Sequence, residues 1–382
     1  MITKAKNHQY KNRIKGWELA RDFVKGDPDR IRIHLDQGMY EQSRKYDKRR
    51  ALADFSPLTS SHIGKIVNIT MASDIERQSQ LDETYLGAAG PQGQSYQTLM
   101  QQAAFNLVTY NATGIVVTAD NIAVHTPLSI PRWTKRATVI KSLIPAPNQS
   151  VFEDEKLMHA WTLFTPEGWE TYVVQDEDDE EMLIDRGEYD ITYENEFGQP
   201  VSPAQRFSFS GSDQPALGTQ LANTHRAIYR MRSSVDSAAK EAINSSLIQF
   251  GAGSDKDFIE LLSSKLKNDE SFVPYKREYG KHEPLSLPTG PIEEASKILK
   301  AKEDKMSRIV GIYADRALEG TATGARIRSE TGIVAIAREL AARMESIEST
   351  VLRLASQAQN VAPETVSVEY RNVGLSEGEE EA

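Results

Sequence analysis

The densest concentration of reactive side chains is a run of six acids, Asp176, Glu177, Asp178, Asp179, Glu180 and Glu181. Such a run could hold a divalent cation through its carboxylate oxygens. It lacks the glycine and the ligand spacing of a calcium-binding helical loop, and a solvated loop is the preferred reading. The histidines (His8, His34, His62, His125, His159, His225 and His282) are scattered, with no H-E-x-x-H or other short ligand spacing, so no metal site is expected. Gly87, Gly90 and Gly93 lack the lysine of a phosphate-binding loop and read as a plain loop. There is no G-x-S-x-G elbow. The absence of cysteine excludes thiol nucleophiles and thiolate metal sites. No pair of carboxylates stands out for acid–base work among 55 acids. A non-catalytic, structural chain without a cofactor is the expectation.

The composition bounds what such a chain can be. Its 382 residues suffice for two or three domains, and 39% hydrophobic with 26% charged residues is a globular balance. Zero cysteine fits assembly in a reducing compartment. Residues 1–15 are polar and basic, without the apolar stretch of a signal peptide, and no segment has the roughly 18 apolar residues of a membrane span. Net charge is −10 but unevenly spread. Residues 1–50 carry 14 Lys/Arg against 7 Asp/Glu, whereas residues 151–200 carry 2 against 16. Opposite poles of this kind either pair copies of the chain or are two solvated faces. The negative total argues against tight phosphate neutralisation, though not against a surface past which DNA slides.

The elements that must position these groups follow from periodicity and punctuation. Trp17, Ala20, Arg21 and Val24 predict a helix over 11–26, stopped at Gly26-Asp27-Pro28. A basic helix is expected at 38–56. The apolar segment 58–71 fits helix or strand. Residues 86–96 read as a loop, after which Ser95 opens a helix to about Tyr110. Strands are expected at 114–118, 137–143, 159–164 and 171–175, with a turn at 165–168, so that 120–210 is mostly β. The Ser/Gly-rich stretch 207–219 reads as a linker. A long helix over 220–250 stops at Gly251, and 255–290 forms a small insert with a helix at 257–266 and a strand at 272–279. Pro291, with Glu293 and Glu294 in the first turn, starts a helix to Val310. The small residues 320–324 interrupt. Ile333, Ile336, Leu340, Met344, Ile347, Val351 and Leu354 then mark the most regular helix of the chain. An acidic tail, 376–382, ends it.

Two long helices flanking a small α/β insert, then a short loop and one very long helix, resemble the portal proteins of tailed bacteriophages, in particular their shorter members. Local segments are similar as well. These are Trp17 to Phe55; the glycine-rich loop, helix and strand that end at Thr118; Leu217 to Arg230 with Asn223, His225 and Tyr229; and Thr321-Ala322-Thr323-Gly324-Ala325-Arg326-Ile327-Arg328-Ser329-Glu330. The resemblance implies an α+β portal-type fold. Its wing is 1–206, linker and first stem helix 207–250, clip 251–290, second stem helix 291–313, tunnel loop 314–325 and long wing helix 326–359. A minimal crown and the acidic tail fill 360–382.

It implies a homo-oligomeric ring, usually dodecameric, at one capsid vertex of the virion. Double-stranded DNA would pass through its channel without sequence preference during packaging and ejection. The implied partners are further copies of the chain, the major capsid protein, terminase during packaging and a head–tail adaptor afterwards, with no membrane. Glu293, Glu294, Lys297, Lys300, Glu303 and Asp304 on the polar side of the second stem helix are the DNA-channel candidates; ordinary solvated charges are the alternative. In the tunnel loop, Gly320 and Gly324 give freedom, Thr321 and Thr323 flank them, and Arg316 could touch phosphates. Tyr275, Lys276, Arg277 and Tyr279 are the clip's candidate partner contacts, unless the tyrosines form the insert's own core. Two other readings are an adaptor or minor capsid protein, and a metal-dependent phosphate-ester hydrolase with ligands from 176–196.

Overall fold

The computed structural model describes residues 2, 6–35, 57–134, 136–145, 157–174, 181–210, 215–244, 290–311 and 322–374. They form an α+β fold whose chain divides into two compact units. Unit one is Met1–Asp27, Pro57–Asn223 and Ser307–Ala382; unit two is Pro28–Ser56 and Thr224–Met306. The helix expected at 38–56, the insert up to residue 289 and the acidic residues 176–180 lie outside the described residues.

Unit one begins with α1 (His8–Lys25). Asn7 caps its start by accepting a hydrogen bond from the Gln9 N–H at 3.0 Å, and Gly26 ends it at φ 70, a left-handed position that favours glycine. The buried Trp17 indole donates to the Tyr110 carbonyl at 2.9 Å, with Tyr10 packed edge-on at 5.9 Å. The helix ends at Gly26, within the expected Gly26-Asp27-Pro28 stop, and a second helix follows. Proline opens the short helix α2 (Pro28–Leu35) of unit two, because a first-turn residue needs no N–H donor.

The segment left open between helix and strand is helical, α3 (Leu58–Met71). Ile63, Ile66, Val67 and Thr70 are buried on one side, and packing of that stripe overrides the β-branched content. There follow β1 (Asp74–Gln78), α4 (Glu83–Gly87) and α5 (Tyr96–Tyr110), the last capped by Ser95, which accepts from the Thr98 N–H at 3.3 Å. β2 (Ala112–Val117) is wholly buried and lies between β3 (Ile122–His125) and β9 (Ala204–Ser208) in a three-stranded antiparallel sheet. A second, antiparallel sheet is a meander of β4 (Arg132–Trp133), β5 (Thr138–Pro145), β6 (Leu157–Phe164), β7 (Gly168–Val174) and β8 (Glu181–Glu188). β8 was hidden in the acidic region. Its consecutive Met182, Leu183 and Ile184 do not alternate with polar residues, and all three are exposed on the sheet's edge.

The stretch 207–219 is less of a linker than its serines and glycines indicate. β9 runs to Ser208, and α6 (Leu217–Asn244) starts at Leu217. Gly218 is required there, since a Cβ would lie 2.3 Å from the Thr109 carbonyl oxygen and 2.8 Å from its Cα. α7 (Gly290–Gly311) leads toward α8 (Ala322–Ala358), 37 residues long. The predicted loop through Gly324 is thereby corrected. Thr323 and Gly324 belong to the first turn of α8, where the absence of i−4 partners makes glycine least costly. The stripe from Ile333 to Leu354 is buried along its length, and Thr70 shares its hydroxyl between the Ile66 and Ala337 carbonyls at 3.0 and 3.2 Å.

Past Asn360 the chain does not simply trail off. β10 (Ser367–Arg371) pairs antiparallel with β1, Asp74 opposite Arg371. This ribbon is fixed to α8 through Glu348, which is 0% exposed. Arg77 grips both Glu348 oxygens, Nε at 2.5 Å and Nη2 at 3.1 Å, and the Tyr370 hydroxyl donates to the same carboxylate. Burial, and then the Glu348 charge, push the Tyr370 phenol far above its ordinary range, so it stays protonated as a donor.

In unit two the Arg230 guanidinium donates to the Leu35 carbonyl at 2.8 Å, and Arg232 on α6 pairs with Glu303 on α7 at 3.1 Å. Met306 is buried.

Candidate functional site

Two surfaces carry the groups available for function. The first is the polar side of α7. Glu293, Glu294, Lys297, Lys300 and Asp304 are exposed, three carboxylates interleaved with two ammonium groups. Glu303 departs from the expectation of a free, channel-facing charge. It is half-buried and held by Arg232 across the two helices, which directs its carboxylate to a neighbouring helix. Ile298, 45% exposed, interrupts the charged side and was not singled out by its residue type. Of the tunnel-loop candidates, Arg316, Gly320 and Thr321 lie outside the described residues, as do Tyr275, Lys276, Arg277 and Tyr279.

The second surface is a groove of about 710 Å³ in unit one. Ile140, Ser142, Thr162, Thr171 and Trp169 line it from one face of the five-stranded sheet; Val116, Ala123 and His125 line it from β2 and β3. Tyr189, Asp190 and Tyr193 close one side and Asn360, just past α8, another. Its charged lining is Asp120, Glu188 and Asp190, with no lysine or arginine among the described residues. Tyr189 and Tyr193 meet edge-on at 5.3 Å, and the buried Tyr189 hydroxyl has no hydrogen-bond partner among the described residues. Burial pushes the Tyr193 phenol up to about 12. No single stretch of sequence announces this groove, because its walls come from five separated segments. The cluster of tyrosines and acids at 188–193 is the one local trace of it.

His125 is the imidazole of the groove lining. Burial drives the His125 imidazole down to about 4, so it is neutral at pH 7 and too weak a base to activate a nucleophile. Among the described residues no three His, Asp or Glu side chains gather as metal ligands.

The neutral His125 also makes stability pH-dependent. Its folded pKa lies below the unfolded value near 6.5, so the unfolded chain takes up the proton first as pH falls. A penalty on the order of 3 kcal/mol should set in below about pH 6.5 and be complete near pH 4. His125→Leu is expected to flatten this part of the stability–pH curve. Urea midpoints at pH 7 and pH 4.5 that shift equally in wild type and variant would rule this out.

No family model matches the sequence, and no curated protein matches it. Among solved structures, the chain is similar to one described as the neck of an empty GTA particle, computed with C6 symmetry. The identity is 9%, the match covers 86% of this chain and 84% of that chain, and the TM-score is 0.42. Among the described residues, no helix is long and apolar enough to cross a membrane.

Proposed function

We propose that the chain is a portal-type subunit that closes into a homo-oligomeric ring, a dodecamer, at one vertex of a virus capsid. Double-stranded DNA passes through the ring, and terminase and then a head–tail adaptor dock on the segment between α6 and α7. The major capsid protein surrounds it. The observation that carries this reading is the helix order. α6 and α7, bridged by Arg232 and Glu303, bracket residues 245–289, and the 37-residue α8 follows. That order is what the resemblance to portal proteins implies. The mixed charges exposed on α7 suit a channel wall, because alternating signs keep phosphate attraction weak and let DNA slide.

Electron microscopy and mass photometry of the purified chain test the proposal. Rings with a central hole wide enough for duplex DNA, and a mass near a dozen copies, are expected. A monomer or dimer that persists at high concentration would overturn it. Assembly into a form without a channel would favour the adaptor or minor capsid reading instead.

A further inference from the structure

Arg206 is a largely buried cation that no acid accompanies. It lies on β9 opposite Gly114 of β2, so its side chain leaves the same face of the three-stranded sheet as that glycine. The face is crowded, since a Cβ at Gly114 would lie 2.2 Å from Ile130 Cδ1. The guanidinium sits over the Trp133 ring of β4, its Cζ 4.0 Å from the ring centroid. That ring is fixed in turn. It packs against Tyr10, Trp17 and Tyr110, and the Trp133 carbonyl accepts a 3.5 Å bond from the Asn7 side-chain amide. Nε of Arg206 is buried with no hydrogen-bond partner, and no carboxylate pairs with the guanidinium among the described residues. Burial, and then the like charge of Arg13, bring the Arg206 pKa down to about 10, so it is charged at pH 7. Arg13 follows Tyr10 by three residues and precedes Trp17 by four, which puts it on the side of α1 that meets Trp133. Arg13 has a contact of its own and adds charge here rather than a vacant fork.

A charge taken out of water without a partner is costly, and a like charge beside it adds to the cost. Both costs fall when an anion enters. We propose that Arg206, on its Trp133 platform and with Arg13 beside it, is the receptor for one oxyanion group, the chemistry shared by phosphate and carboxylate. The guanidinium fork matches two oxygens of either group in one plane, and the aromatic ring beneath it fixes that plane. Arg206 keeps part of its surface, so an anion reaches it from solvent. A free phosphate ion and a carboxylate of a second copy are the two sources, and the chain holds acids in excess, 55 against 45 lysines and arginines. The phosphate source stands without the ring reading above; the carboxylate source rests on it.

Thermal unfolding of the full chain, titrated with sodium phosphate against sodium chloride at matched ionic strength, tests the site. Wild type is compared with Arg206→Met, which keeps an aliphatic stem over Trp133 and removes the charge. Phosphate stabilises many proteins by exclusion from their surface, so the readout is the difference between the two titrations. With phosphate as the ligand, wild-type Tm is expected to rise saturably by about 5 °C more than that of the variant. With a carboxylate of a second copy as the ligand, the titrations run parallel and Arg206→Met cuts the assembled fraction, read by mass photometry, about tenfold or more. If Arg206→Met does not fold, Arg206→Lys takes its place. Its ammonium cannot engage two oxygens in one plane, so the same losses are expected. Parallel titrations together with unaltered assembly overturn the site and leave the ring reading standing. A wild-type chain that stays monomeric overturns the ring reading, and the phosphate titration alone then decides for or against the site.

Discussion

Arg77→Met is expected to lower stability by about 3–5 kcal/mol, because it leaves the Glu348 carboxylate buried without its cation. For a unit of this size that corresponds to a fall of roughly 10 °C in Tm. The expectation follows from geometry. Glu348 has no exposed surface, and both its oxygens are engaged by Arg77 and Tyr370. Methionine keeps much of the aliphatic stem of arginine, so the loss is electrostatic rather than one of packing. Adding Glu348→Gln to Arg77→Met removes the stranded charge, and Tyr370 can still donate to the amide oxygen. The double variant is therefore expected to be more stable than Arg77→Met alone by about 1 kcal/mol or more. Urea and thermal unfolding measure both. If Arg77→Met lies within about 0.5 kcal/mol of wild type, the range of an ordinary surface change, the network does not hold the ribbon to α8. Amide exchange gives a local readout, since β10 amides should lose protection first when the carboxylate no longer anchors β1 and β10.

The second large effect concerns α7 and rests on its proposed place at the channel wall. Glu293, Glu294 and Asp304 set three negative charges against Lys297 and Lys300, a net of −1 for the exposed members of the set. Glu293→Lys with Asp304→Lys turns this into +3 in each copy. In a ring the change is multiplied by the number of subunits, so a wall that lets DNA slide becomes one that retains it. Duplex DNA is expected to bind the variant ring about 100-fold more tightly than wild type near 50 mM salt, with most of the gain gone by about 200 mM, since each added phosphate contact steepens the salt dependence. Fluorescence anisotropy with a labelled duplex across a salt series measures this. Equal affinities and equal salt slopes for the two rings would place α7 away from the DNA path.

Glu303 shows why residue type alone assigns such a face imperfectly. Its spacing puts it near the other charges of α7, yet Arg232 from α6 captures it, a pairing across some 70 residues that no local pattern announces. At about one-third exposure for each partner, the pair is worth no more than about 1 kcal/mol, so it positions the carboxylate more than it stabilises the helices.

The sequence by itself determined the helices whose apolar residues recur at three and four, above all α8, because burying that stripe requires the helix whatever surrounds it. It also determined the ends of α1 and α5, where Gly26, Ser95 and Asn111 act through their own backbone and side-chain chemistry. Tertiary structure alone decided the elements whose partners are distant. α3 is a helix because its stripe packs against α8, and β1 and β10 are strands because each supplies the other's hydrogen bonds across nearly 300 residues. β8 extends the five-stranded sheet despite its acidic surroundings and exposed apolar run. The groove, too, exists only once five segments converge. The neutral state of His125 follows from that enclosure, since burial, not the residues beside it in the chain, makes its charged form costly.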